Sequence, residues 1–268
     1  MKYAFMSFSC PALALDEMLA LARRLGYDGI EPRLDAGHRH GIESSLDAAA
    51  RRAARRQVEA SGVALCCLAT GARLADPTTA SDNIAAARRA IALAADLGCA
   101  RLRVFGGALP AGLERAAAGE ALAAHLAALA DEAAAAGVVL CLETHDDWTD
   151  PQHVAAVMRR VDHPAVAVNW DIMHPVRQSG YTMDAAFEIL RPWVRHVHFH
   201  DGIDIAAELQ LRPIGAGTID HRRAVQLLLA AGYDGYLSGE WIDWEPYESH
   251  LPRELATMRA YEREAARA

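Results

Sequence analysis

The 268-residue sequence has no surplus of positive charge: 27 Lys and Arg stand against 35 Asp and Glu, a formal net charge of −8. Without a basic face, a phosphate backbone would be repelled, so nucleic acid is not an expected partner. No uncharged apolar run reaches the roughly eighteen residues of a membrane span, which argues against a membrane protein. The five cysteines (Cys10, Cys66, Cys67, Cys99, Cys141) are odd in number, form no CxxC pair and sit in apolar segments, where thiols pack as small hydrophobes; a reducing cytoplasm suits them. No GxGxxG follows the first apolar segment, and no linker or shift of composition divides the chain, so one domain over residues 1–268 is expected. The uncharged stretch 3–15 behind Lys2 contains Ser7, Ser9 and Pro11 and reads as a first strand, not as a signal-peptide core.

At 52% hydrophobic and 23% charged, the composition is that of a globular protein with a large core. One pattern repeats along it: a short apolar strand, a polar loop, then an Ala- and Leu-rich amphipathic helix ending near Gly. Strands are expected at 3–7, 29–32, 63–69, 101–105, 138–143, 166–171, 196–200 and 235–240. Helices are expected at 16–25, 45–61, 81–97, 114–136, 151–161, 184–190, 220–231 and 252–265. Strict alternation requires parallel pairing through right-handed crossovers, and eight units favour a closed (β/α)8 TIM barrel of the α/β class.

A barrel carries its active site at the C-terminal ends of the strands, on side chains that point into the lumen. Period-two alternation identifies them. Val138, Leu140 and Leu142 face the helices and leave Cys141 and Glu143 inside; the same argument leaves Asn169 and Asp171, then His196, His198 and His200, then Ser238 and Glu240. Four consecutive strands thus end in Glu, Asp, His and Glu. Crowded carboxylates repel, and a divalent cation among them relieves the repulsion; oxygen-rich ligation with one imidazole suits Mn²⁺ first, with Mg²⁺ or Co²⁺ as alternatives.

The segments GYDGIEPR (26–33), LCLETHDD (140–147), NWDIMHP (169–175), HVHFHDG (196–202), PIGAGTID (213–220) and GYDGYLSGEW (232–241) run in this order through almost the whole chain. In these the sequence resembles the xylose-isomerase-like TIM barrel superfamily, the sugar (phosphate) isomerases and epimerases. The resemblance implies that one divalent metal is held by Glu143, Asp171, the second histidine of the HxHxxD segment, His198, and Glu240. It also implies that His174, the histidine of a DxxH motif, touches substrate or metal-bound water. Two departures bear on the substrate: His200 stands where the family often has Lys, and Thr144-His145-Asp146-Asp147 replaces a Pro-containing turn.

Such a site supports proton abstraction beside a carbonyl, with Glu143 and Glu240 as acid and base on opposite sides of a small sugar, and hence isomerisation or epimerisation. A dehydratase of a keto-polyol is the alternative, because the same enolate can expel a β-hydroxyl. A metal-dependent DNA repair endonuclease would need clustered metals and a basic groove, against the net charge of −8. Further substrate contacts are expected from Glu31 on the inward face of the second strand, from His40 beside His38 in a Gly-flanked loop, and from His145, His200, Arg177 and Arg212. Gly215 and Gly217 allow either a phosphate cradle or a plain N-cap at Asp220. Assembly into a homo-oligomer is compatible with the sequence.

Overall fold

A computed structural model describes residues 1–206 and 208–267. Its strands are β1 (Lys2–Met6), β2 (Gly29–Glu31), β3 (Ala64–Leu65), β4 (Leu68–Arg73), β5 (Arg101–Phe105), β6 (Val139–Glu143), β7 (Val166–Asp171), β8 (Val194–Phe199), β9 (Asp201–Ile205), β10 (Glu208–Arg212) and β11 (Tyr236–Gly239). Nine of them form one parallel sheet in the order β3-β2-β1-β11-β8-β7-β6-β5-β4. It curls into the expected barrel. β3 and β4 are two pieces of the third barrel strand, β3 paired with β2 and β4 with β5, and a bridge between Arg33 and Ala69 continues the seam. The break at Cys66 and Cys67 faces Pro32, which has no N–H to offer the ladder; its carbonyl still accepts from Ala69 N at 2.9 Å.

Around the barrel run α1 (Leu15–Leu25), α2 (Ala48–Ser61), α3 (Ala80–Leu97), α4 (Arg115–Ala135), α5 (Pro151–Val161), α7 (Met183–Leu190), α8 (His221–Ala230) and α9 (Tyr247–Ala265), with a single turn, α6 (His174–Arg177), after β7. Each of the eight long helices lies where the sequence pattern places it, within a few residues at most ends. α1 stops because Gly26 takes φ +85°, a left-handed conformation in which its N–H reaches back to Ala22 O and Arg23 O. Trp170 and Phe199 point outward and meet Phe187 and Trp241 at ring separations of 5.2 and 5.5 Å, so the large apolar residues fill the space between barrel and helices. The lumen holds buried polar side chains, Glu31, Arg103, Asn169, His196 and His198 among them. Among the described residues, no helix is long and apolar enough to cross a membrane.

The antiparallel hairpin β9–β10 replaces what the sequence reads as loop. It is anchored by Asp201, which is wholly buried. Its Oδ2 accepts from Gly215 N (2.8 Å) and Gly217 N (3.1 Å), and its Oδ1 from Gly202 N (2.9 Å) and Ile219 N (3.2 Å). The Gly215–Gly217 loop is therefore filled by the chain's own carboxylate, and Asp220 is the N-cap of α8, accepting from Arg223 N. Asp201→Ala would leave four amides without their acceptor and is expected to cost roughly 3 kcal/mol, a fall in Tm of about 6–12 °C measurable by calorimetry. An unchanged Tm would show that the carboxylate does not hold the loop.

Candidate metal centre

The inward parity of four neighbouring strands brings Glu143, Asp171, His198 and Glu240 together. Pairing sets Asp171 opposite His198 and His198 opposite Ser238, with Glu143 beside Asn169. Glu143, Asp171 and His198 are fully buried, and one donor atom from each of the four lies within 4.8 Å of the others. His198 Nδ1 is 2.7 Å from Glu143 Oε1 and 3.3 Å from Glu240 Oε2. Thr144 locks the two strands: its Oγ1 accepts from Asp171 N at 2.9 Å and donates to Asp171 O at 3.1 Å.

Local backbone geometry aims the Asp171 carboxylate. Oδ1 accepts from Met173 N at 2.8 Å and His174 N at 3.3 Å, where the chain turns into α6, so Oδ2 is turned toward the cluster. Oδ2 is buried without a hydrogen-bond partner, whereas Glu143 Oε2 is ion-paired with Arg103. A buried carboxylate oxygen left unsatisfied costs free energy, and Asp171 Oδ2 lies in a cluster with an imidazole and two further carboxylates. Three oxygen donors and one nitrogen suit a hard divalent cation. Burial pushes the Asp171 carboxyl up, but the imidazoles of His174 and His200 more than offset this and hold it below the usual range. Glu240 is likewise held low, burial being outweighed by His198, His200 and Arg103.

Arg103 is a site residue that the strand-end reading passed over. Its guanidinium is wholly buried, 3.2 Å from Glu143 Oε2 through Nε, bonded to Thr70 O at 2.8 Å and stacked 3.8 Å over Phe105. The signal was in the sequence: Arg101, Arg103 and Phe105 share the inward face of β5.

A cavity of about 250 Å³ opens above the cluster, with His145, His174, His200 and Glu240 on one side and Leu209, Leu211 and Ile242 on the other. The three imidazoles meet edge to face, His145 to His174 at 4.7 Å and His174 to His200 at 5.6 Å. Burial lowers the His145 pKa, but Asp146, Glu143 and Glu240 together raise it to about 9. The leucines come from β10, so the hairpin supplies the apolar wall. The chain's one lysine, Lys2, starts β1 at the opposite end of the barrel, so no Schiff-base amine is at this mouth.

Four of the expected substrate contacts are held by partners within the chain and do not line the cavity. Glu31 lies below the cluster, excluded from the cavity, with both oxygens bonded to His196 and His198. Arg177 is clasped to Asp204 on β9 at 2.6–2.8 Å and ties α6 to the hairpin. Arg212 bonds Leu211 O and Gln210 Oε1 instead of turning inward. His40 is buried, accepting from Ile42 N at 3.0 Å, while its neighbour His38 contacts Ser7 Oγ at 2.8 Å. For Glu31, Arg177 and Arg212 an internal partner, invisible at the level of parity or loop position, takes the polar group; for His40 it takes Nδ1 alone.

Fold and site together define a parallel (β/α)8 barrel with a carboxylate and imidazole cluster at the C-terminal mouth. Residues 19–261 match the profile described as xylose isomerase-like TIM barrel, and the chain belongs to that family. A Xenopus laevis protein named "Putative hydroxypyruvate isomerase" is 27% identical over 166 residues, 57% of this chain and 58% of that protein, so the chain spans under two thirds of that relative. Solved barrels are similar in fold: an L-ribulose 3-epimerase at TM-score 0.81 and 20% identity (99% of this chain, 96% of that one). Another, described as the "probable 3-DHS dehydratase" of petrobactin synthesis from Bacillus anthracis, aligns at TM-score 0.79 and 18% identity (97% and 99%).

Proposed function

We propose that the chain is a divalent-metal-dependent isomerase or epimerase of a small ketose or aldose, with Mn²⁺ the preferred ion and Mg²⁺ or Co²⁺ alternatives. The convergence of Glu143, Asp171, His198 and Glu240 within 4.8 Å beneath an open cavity is the observation that carries this reading. These four would be the ligands. A bound divalent ion supplies Lewis acidity toward a carbonyl and its neighbouring hydroxyl, which acidifies the adjacent C–H. Glu240 lines the cavity and is the group placed to remove that proton. Glu143 lies on the far side of His198, sealed between that imidazole and the Arg103 guanidinium, where it would hold the ion and not the substrate proton. His174 Nε2 and His200 Nδ1, 3.8 and 3.6 Å from Asp171 Oδ2, line the cavity and would orient hydroxyls, and Leu209, Leu211 and Ile242 would receive the uncharged distal end. Family membership and the sugar epimerases and isomerases among similar proteins support a small sugar as substrate.

One observation favours a second reading, dehydration of a keto-polyol. His145, held protonated beyond neutral pH, lines the same cavity and could carry off a β-hydroxyl as water.

A single experiment tests both. Protein stripped with chelator and then supplied with Mn²⁺ is incubated in D₂O with free ketoses, keto-polyols and their phosphates. Metal-dependent incorporation of deuterium beside the carbonyl is expected, with isomer or epimer as product. Exchange followed by loss of water would establish the dehydratase reading instead. Undiminished exchange by metal-free protein would overturn both.

A further inference from the structure

Below the cluster lies a second layer of polar side chains that no substrate can reach. Glu31, His196 and His198 are all at 0% exposure. Glu31 Oε2 is 2.8 Å from His196 Nε2, and Glu31 Oε1 is 3.0 Å from His198 Nε2. The two rings stand edge to face at 5.3 Å. An ionised carboxylate only accepts hydrogen bonds, so each of these imidazoles must carry its proton on Nε2. For His198, Nδ1 is the atom left to face Glu143 and Glu240; without an ion it donates to Glu143 Oε1 at 2.7 Å, and a bound cation would displace that Nδ1 proton while the Nε2–H to Glu31 stays in place.

We infer that Glu31 is a positioning residue that holds His198 by Nε2–H and thereby presents Nδ1 as the imidazole donor of the centre above; the inference rests on the proposed metal reading. His196 makes the hold rigid. Because each Glu31 oxygen is engaged by a different ring, the carboxylate cannot rotate about its last bond to release one without losing the other. Glu31 itself is fixed from outside the lumen, on β2, where Met6 of β1 pairs with it. The buried neighbour Cys66 offers a competing arrangement, since Glu31, Cys66 and His196 also bring donor atoms within 4.8 Å. There the thiol is turned to Ile30 O at 3.3 Å, and both Glu31 oxygens already accept from imidazole, so that trio is a closed hydrogen-bonded set. A carboxylate donating structure to a ligating histidine through the far nitrogen typically controls metal affinity by about 10- to 100-fold.

The test pairs titration of the metal-free protein with Mn²⁺ and histidine ¹⁵N NMR, with and without diamagnetic Mg²⁺. Wild type should show a slowly exchanging Nε2–H on His198, assigned by its loss in His198→Gln, and this proton should persist when Mg²⁺ is added. Glu31→Gln should raise the Mn²⁺ Kd about 10- to 100-fold and speed exchange of that proton, whereas Glu31→Asp, which keeps the charge, should recover part of both. Far-UV circular dichroism checks that each variant is folded; if Glu31→Gln is not, Glu31→Asp and the wild-type spectrum still decide. Wild-type Mn²⁺ affinity in folded Glu31→Gln, or an unprotonated His198 Nε2 in wild type, would overturn the inference. A wild type that binds no Mn²⁺ yet keeps the slow Nε2–H would overturn the metal centre alone and leave the hold of Glu31 on His198 in place.

Discussion

Asp171→Asn is expected to abolish metal binding at micromolar Mn²⁺ and to lower kcat/KM by at least about 10³-fold, some 4 kcal/mol of transition-state stabilisation. Asparagine is the informative replacement because Asp171 has two jobs. Its Oδ1 caps the turn into α6 through Met173 N and His174 N, and an amide oxygen can continue to do so. Its Oδ2 faces the cluster with no hydrogen-bond partner, and an NH₂ group there would present donors where a cation needs a lone pair. Alanine would remove both functions and confuse loss of metal with loss of the turn. Metal content after gel filtration, activity and Tm should therefore separate: content and activity fall, while Tm of the metal-free variant stays within a few degrees of metal-free wild type. A folded Asp171→Asn that retains one ion at wild-type affinity would remove this cluster from consideration as the metal centre.

Period and punctuation made the barrel legible. Helix ends at Gly26, Gly62 and Gly98 have the left-handed conformation that the Gly steps imply, and alternation separated the outward Val168 and Trp170 from the inward Asn169 and Asp171. Alternation reports the face of a strand and not its depth. Glu31 and Glu240 both point into the lumen, but strand tilt and stagger in a barrel set one below the cluster and the other at the cavity, and only the register shows which. Partners distant in sequence are equally invisible from spacing: Arg177 meets Asp204, and Asp201 fills the loop at Gly215 and Gly217. The hairpin escaped because residues 201–212 alternate weakly and carry acidic residues that read as loop. Arg103 is hidden for a different reason: the strand-end rule selects the last inward residue of each strand, and Arg103 stands two residues short of the end of β5.

Glu240→Gln and Glu143→Gln, each saturated with Mn²⁺, should differ in how much exchange of the substrate proton they lose. Glu240 lines the cavity, and with its side chain 11% exposed it is the more accessible of the two carboxylates. Glu143 is sealed beneath, its Oε1 against His198 and its Oε2 beside the Arg103 guanidinium. Sealed from the cavity and held beside the Arg103 guanidinium, Glu143 does not reach a substrate C–H above the cluster, so removing that proton falls to Glu240, which lines the cavity. Glutamine preserves shape and one oxygen donor, so saturating metal isolates the proton-transfer role. Glu240→Gln should then lose about 10³- to 10⁴-fold in deuterium exchange, near the upper range for a general base, while Glu143→Gln should lose only about 10- to 10²-fold through altered positioning. Equal losses in the two variants would restore a two-base mechanism in which Glu143 leaves Arg103 during turnover. In that case Arg103→Leu should speed the Glu143-dependent half of the exchange, whereas under the single-base assignment it only loosens Glu143 and weakens the metal.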